Sequence, residues 1–241
     1  MEQSVSREYL SRSLYINVSK HHTFGTDGVL LAHFAGTKRN DRAIDLGTGC
    51  GIIPFLLLRN GNIKSAIGVD ISEEAIHLAS QSVKEQSIEN LTFVHSDLNC
   101  LKGKVENGSA TLVTCNPPYK ELGRGITNPD SISAAARHET MCTLEDIISV
   151  SARLLQTGGR LCICLRPERL CELMVLMSKH KIEPKRLRFV HQREGLPPWL
   201  FLIEGRRCGN SGMVVEKPLY IEQSGAFSKE MIEIYGDYYN K

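Results

Sequence analysis

Four short stretches place chemistry-bearing residues at the ends of apolar runs. Asp45 lies in AIDLGTGCG, ahead of glycines 47, 49 and 51; Asp70 ends SAIGVD; Asp97 and Leu98 follow LTFVHS; and Asn116-Pro117-Pro118-Tyr119 follow ATLVTC. A strand, a glycine-rich turn and a helix in succession let the backbone approach a ligand closely, because glycine adopts positive φ without a Cβ clash. The spacing is not that of a pyrophosphate-binding turn. An acid at position 45 repels phosphate and suits a cationic ligand, such as a sulfonium that also carries an amino-acid ammonium. Asp70, 19 residues beyond Gly51, stands where an acid accepts both hydroxyls of a ribose. Asp97 is placed to accept from an exocyclic amine of a purine, with the Leu98 amide available to a ring nitrogen. Taken singly, Asp70 and Asp97 would serve equally as cap or turn residues; their order at three successive strand ends carries the reading.

Asn-Pro-Pro-Tyr is a strong chain breaker, and its aromatic could simply pack. Chemistry explains more of it. An amine conjugated to an aromatic ring is a poor nucleophile, because its lone pair is delocalised. It improves when acceptors hold its N–H protons and draw the nitrogen toward tetrahedral geometry. The Asn116 side-chain oxygen is one such acceptor. The Pro117 carbonyl is a second, on a backbone whose φ is fixed and which has no N–H to donate. Tyr119 can stack on the base.

The elements that position these residues are legible from residue 42 onward. Strands are expected at 42–46, 65–70, 91–96, 110–115 and 160–165, alternating with helices, the pattern of parallel strands joined by right-handed crossovers. Helices are expected at 52–60 and at 73–86 behind Ser72 as N-cap. Another begins after Thr143 and stops at Gly158-Gly159, and a further one opens on Pro167. The runs 185–191 and 199–205 are separated by a connection too short for a crossover, so they form an antiparallel hairpin at the end of the sheet. The fold class is therefore α/β, a mostly parallel, Rossmann-like sheet of seven strands. Ahead of the core, Val29 to Phe34 should form a short helix capped by Thr26 or Asp27. The connection 116–142 is long and rich in Gly, Pro and Asn. It leaves the carboxyl end of a core strand, where open α/β sheets place their ligands.

With 241 residues, 41% of them hydrophobic and 23% charged, the chain suits one domain with a sizeable core. No apolar run approaches the roughly 20 residues of a membrane span, and MEQSVSREYLSRS lacks the apolar core of an export signal. A cytoplasmic location is expected, with no membrane partner. The eight cysteines contain no CxxC pair, so they read as reduced small hydrophobes rather than disulfides or metal ligands. A net charge of +2 announces no nucleic-acid binder, but residues 179–193 hold six Lys or Arg and two His against one Glu. That cluster reads either as a solvated sheet edge or as an RNA contact.

The order DLGTGCG, GVD, SDL resembles the S-adenosylmethionine pocket of class I methyltransferases, and NPPY resembles the motif of amino methyltransferases acting on adenine N6, guanine N2 or glutamine amides. HHTFGTDGVLLAHFA, NPPY, ARHE at 136–139 and RLRFVHQREGLPPWLFLIEGRR together resemble the bacterial tRNA1(Val) adenine-37 N6-methyltransferase family. The resemblance implies S-adenosylmethionine as cofactor and tRNA as substrate. It implies cofactor contacts from Thr26 and Asp27 over the methionine end, together with Asp45, Gly47, Gly49, Gly51, Asp70, Asp97, Leu98 and Asn116. It implies methyl transfer assisted by Asn116, Pro117 and Tyr119. A basic rim of Lys120, Arg124, Arg137, His138, Lys185, Arg188 and the stretch near Lys20 to His22 is expected to hold RNA. In this view the chain is one methyltransferase domain: residues 1–41 extend over the cofactor site, 42–207 form the core and 208–241 a tail. A monomer or weak homodimer is expected. A methyltransferase acting on another amine, and a catalytically silent cofactor-binding RNA chaperone, remain open alternatives.

Overall fold

The computed structural model describes residues 5–61, 63–117, 142–236 and 238. In chain order it has β1 (Ser6–Tyr9), β2 (Tyr15–Val18), α1 (Thr26–Ala35), β3 (Arg42–Leu46), α2 (Ile52–Asn60), β4 (Ser65–Asp70), α3 (Glu73–Glu85), β5 (Leu91–His95) and β6 (Ala110–Cys115). It continues with α4 (Leu144–Leu154), β7 (Leu155–Leu165), α5 (Leu170–Lys179), β8 (Ile182–His191), β9 (Pro198–Arg207), four two-residue strands β10 (Val214–Val215), β11 (Leu219–Tyr220), β12 (Glu222–Gln223) and β13 (Ala226–Phe227), and α6 (Lys229–Tyr235). The main sheet has nine strands, in the order β10-β8-β9-β7-β6-β3-β4-β5, with β11 also paired to β8. The pairs β7–β6–β3–β4–β5 are parallel, and β9 inserts antiparallel between β7 and β8.

Alternate strand residues face opposite layers. Ala43, Leu112, Cys162 and Leu202 join α1, α2 and α6 in one apolar cluster, whereas Ile44, Val113, Ile163 and Ile203 join α4 and α5 in the other. Helices thus cover both faces, as a parallel sheet requires, and the strand ends are left to form the site.

The structure alters four expectations. The tail adds two short strands, β10 and β11, parallel to β8, so the hairpin is not the sheet's edge. The helix expected to stop at Gly158-Gly159 ends at Leu154, and those glycines lie inside β7, where its pairing with β6 shifts register. Gly158 takes φ 78° there, so the glycines accommodate a bulge rather than a helix end. Pro167 starts a single 3-10 turn, Pro167–Arg169, that leads into α5. The helix expected over 29–34 spans Thr26–Ala35, and its N-cap is Gly25 with no side-chain cap bond, not Thr26 or Asp27. Ser72 caps α3 as expected, accepting from the Ala75 amide.

Candidate active site

The sequence after β3 turns sharply because three glycines take positive φ, at Gly47 (71°), Gly49 (55°) and Gly51 (87°). The Gly47 and Thr48 amides both donate to the Val69 carbonyl, at 2.9 and 3.0 Å, locking the turn to the end of β4. A Cβ on Gly51 would sit 2.7 Å from the Phe93 ring, and one on Gly68 would meet Phe93 at 2.5 Å and Thr48 Oγ1 at 2.7 Å. Cβ atoms at Gly47 and Gly49 would meet nothing within 4 Å. The turn is therefore packed from below and open above, a backbone cradle.

Beneath it, Asp45 is 1% exposed. Its Oδ1 accepts from Thr114 Oγ1 at 2.6 Å, and its Oδ2 is buried with no partner. Burial pushes this carboxyl up to about 7. The Thr114 and Thr48 hydroxyls pull the other way, and Asp70 adds to the rise. Thr48 Oγ1 lies close enough to act on the carboxyl yet makes no hydrogen bond of its own. Asp70 is engaged on both oxygens: Oδ2 accepts from the Gly49 amide and Oδ1 from the Ser72 amide, each at 2.8 Å. Asp97 is half-buried, and its Oδ1 takes the Asn99 amide at 2.8 Å, which places Leu98 at the start of a 3-10 turn.

Asn116 and Pro117 follow the carboxyl end of β6, next to β3 in the sheet, Asn116 half-buried and Pro117 buried. Asn116 Oδ1 accepts from Cys164 Sγ at 3.1 Å. Cys164 is fully buried on β7. The three acids, the turn and Asn116 thus share one edge of the sheet. Tyr119, Lys120, Arg124, Arg137 and His138 lie outside the described residues.

Gly28 faces α2, its would-be Cβ 3.2 Å from Ile52 Cγ2, which sets the start of α1 against the start of α2 and beside the glycine turn. At 3.6 residues per turn Thr26 points away from that contact; its hydroxyl lies 3.0 Å from the Tyr235 hydroxyl of the tail. The segment before α1 folds over the start of α3, with His22 Nε2 3.3 Å from Ser72 Oγ and 3.5 Å from Glu74. Lys20 and His21 are exposed there, at the edge carrying Asp70. The two other basic residues singled out are differently employed. Lys185 Nζ donates to the Asn210 and Gly212 carbonyls, and Arg188 pairs with Glu230 at 2.7 Å and donates to the Lys217 carbonyl. Both hold the tail. Lys185 also lies six residues before the end of β8, about 20 Å from the carboxyl edge at strand rise.

Three partners escaped the sequence reading. Thr114 and Cys164 are short polar side chains within apolar runs, and only the pairing of Asp45 with Thr114 across β3 and β6, and of β6 with β7, brings them to Asp45 and Asn116. Thr48 was passed over as part of a glycine turn.

The cysteines are all free thiols, and burial pushes those of Cys50 and Cys162 up to about 12. No helix is long and apolar enough to cross a membrane, and no group of three or more metal-ligating side chains occurs, among the described residues.

Known proteins align with this arrangement. A family model described as a methyltransferase domain matches residues 37–192. A tRNA1(Val) (adenine(37)-N6)-methyltransferase of Parabacteroides distasonis is 31% identical over 224 residues, 90% of each chain. The protein of the same name from Aeromonas salmonicida is 26% identical, again over 90% of each chain. Among solved structures, a predicted O-methyltransferase from Agrobacterium tumefaciens superposes with TM-score 0.71 at 18% identity, covering 88% of this chain and 96% of that one. Geranyl diphosphate C-methyltransferase from Streptomyces coelicolor superposes at 0.54 and 15% identity, covering 76% and 80%. These two show a shared fold. With a methyltransferase model over its core and a relative matched across nine-tenths of both chains, the chain belongs to the tRNA1(Val) (adenine(37)-N6)-methyltransferase family.

Proposed function

We propose that the chain methylates N6 of adenine 37 in the anticodon loop of tRNA1(Val), using S-adenosylmethionine. The observation that supports the chemistry is the buried Asp45 carboxylate with an unpartnered oxygen under an open glycine cradle, at the same sheet edge as Asn116. An acid without a cation suits a positively charged ligand, and the names of the relatives supply the substrate. When bound, S-adenosylmethionine supplies an electrophilic methyl group on a sulfonium.

The chain's own residues do the rest. Asp45 holds the amino-acid end, which the side-chain-free backbone of Gly47 and Gly49 lets approach, while Gly51 fixes the turn. Asp70 accepts from the ribose through the lone pairs its two amide partners leave, and Asp97 with Leu98 reads the adenine. Asp27 closes the site from the start of α1, and Thr26, turned to the tail, supports that start through Tyr235. The Asn116 side-chain oxygen and the Pro117 carbonyl accept hydrogen bonds from the two N–H groups of the target amine, and Tyr119 stacks on its ring. No base need act before attack, because the nitrogen loses its proton only after it becomes cationic; alignment and preorganised acceptors lower the barrier. A base in an anticodon loop is already single-stranded, so presenting it costs less than extracting one from a duplex. Lys20, His21 and Arg193, exposed at or near the carboxyl edge, join Lys120, Arg124, Arg137 and His138 as the basic rim, while Lys185 and Arg188 act through the tail.

Incubation with labelled cofactor and bulk tRNA from a strain lacking the protein, followed by digestion to nucleosides, tests the reading. Label as N6-methyladenosine is expected. Label in N2-methylguanosine or in protein would overturn the substrate and leave the fold standing.

A further inference from the structure

A pocket of about 330 Å³, lined by Thr26, Asp27, Gln192, Trp199, Ile221 and Phe227, opens beside the proposed active site. It is separate from the glycine cradle: Gly28 faces the cradle's helix, whereas Thr26 on the other side of α1 faces the tail. Trp199, the second residue of β9, lies three residues before Leu202, whose register partner Cys164 touches Asn116. At strand rise that sets it about 10 Å along the strand toward the carboxyl edge, two strands over from Asn116.

The pocket's walls suit a flat ligand with polar edges. Trp199 and Phe227 supply aromatic surface. Arg166 lies over the indole at 5.3 Å from its centroid and donates to the Trp199 carbonyl at 3.0 Å, so the ring is held in place. Phe227 in turn stacks on Tyr235 at 5.5 Å and 6°. The polar groups include two acceptors, the Asp27 carboxylate and the carbonyl of Gln192, whose amide donates to Glu222 at 2.7 Å, beside the Thr26 hydroxyl and the Trp199 Nε1–H, which is buried without a partner. Aromatic stacking with a few acceptors is the usual chemistry of single-stranded base recognition.

We propose that this pocket receives the nucleobase flanking the methylated adenine, stacked against Trp199, so that the target base is splayed toward Asn116. The proposal rests on RNA being the substrate. It assigns a reading function to the hairpin and tail that the cofactor site does not need: the β8–β9 loop supplies Gln192, β9 supplies Trp199, and the tail supplies Ile221 and Phe227.

Trp199 is the chain's one tryptophan, so its emission reports the pocket directly in the unmodified protein. Anticodon stem-loop RNAs are compared that are intact, abasic at the target, or abasic at either flank, with binding followed separately by anisotropy of a label on the RNA. Intact and target-abasic RNA should quench Trp199, and one of the two flank-abasic RNAs should bind without quenching and about tenfold more weakly. Trp199→Leu should raise KM for RNA about tenfold, the scale of one lost stack, with the cofactor Kd unchanged. Emission that does not change on bound RNA would overturn the proposal. Quenching that disappears only with the target-abasic RNA would overturn it as well, by giving the pocket to the target base. Nucleoside analysis of the parent's product keeps the two readings apart. Label entering adenine without quenching sinks the pocket alone, whereas no label in RNA sinks the substrate assignment on which it rests.

Discussion

Two buried aspartates frame β3, one at each end, and they are treated in opposite ways. Asp41, just before the strand, is saturated: Oδ1 takes the Thr111 hydroxyl at 2.7 Å, and Oδ2 takes the Lys38 amide at 2.8 Å and the Arg160 guanidinium at 3.0 Å. Arg160 also donates to the Ala35 and Gly36 carbonyls at the end of α1 and lies 3.5 Å from Glu204, which Arg186 holds at 2.9 Å while reaching Glu216 at 2.6 Å. Asp45, at the other end, has one hydroxyl partner and one orphaned oxygen. A saturated buried carboxylate ties elements together. An unsaturated one costs stability in the free protein, and that cost is offset only when a cation arrives.

Cutting the saturated end should produce the largest effect. Arg160→Met removes the cation shared by Asp41 and Glu204 and leaves Asp41 buried without a counter-charge, a loss of about 3–5 kcal/mol. Urea denaturation measures it; a loss below about 1 kcal/mol would mean that the network is not what fastens α1 to the sheet. Asp45→Asn should do the reverse, leaving stability at pH 8 equal or higher while S-adenosylmethionine binds about 10- to 100-fold more weakly, the scale of one lost charge-assisted hydrogen bond. Calorimetry on the folded variant decides, and unchanged affinity would remove Asp45 from the cofactor site.

The same contrast predicts a pH dependence. The Asp45 carboxyl sits near 7 in the fold against an ordinary value of 3.8. Between those values the unfolded chain releases the proton and the folded chain keeps it, so the folded state binds more protons and stability falls as pH rises. This residue's contribution is intact below about pH 4 and lost by about pH 7. Asp45→Asn should flatten that part of the stability profile. A cationic ligand favours the ionised form, so binding below pH 7 should release a proton, visible as a dependence of the calorimetric heat on the buffer's ionisation enthalpy.

The glycine turn and the acids beside it were largely legible in sequence because they are local: glycines 47, 49 and 51, Asp70 and Asp97 each sit at or just past the end of the strand that carries them. The saturated network was not, because Asp41, Arg160, Arg186, Glu204 and Glu216 meet only through strand order, with no short-range signal. Charge density misled for the same reason. Lys185 and Arg188 belong by composition to a basic cluster, but the tail over 208–236 folds back and binds both. Gly158-Gly159 has the composition of a helix stop; the bulge in β7 competes for the same residues and depends on pairing with Ala110 and Leu112.

Beside the Asp45 end of β3 lies the proposed transfer machinery, whose acceptor is expected to matter chiefly in the transition state. Asn116→Ala should lower the single-turnover rate by about 10²-fold or more while cofactor affinity stays near the parent's. A variant that transfers methyl groups at the parent rate would return Asn116 to the status of a turn residue.

The smallest effect should come from the thiol behind that acceptor. Cys164 occupies a fully buried strand position where an aliphatic side chain would pack as well, yet its Sγ donates to Asn116 Oδ1 at 3.1 Å. The contact fixes which way the amide faces. Cys164→Val keeps the volume and removes the donor. It should lower kcat by about three- to tenfold, the scale of one modest neutral hydrogen bond, with KM for RNA and the cofactor Kd unchanged. Cys164→Ser restores a donor and should recover most of the rate. A packing role predicts the opposite order, because serine leaves a polar group in an apolar layer and valine does not. If valine is the faster of the two variants, Cys164 is a core residue and the orientation of Asn116 is set elsewhere.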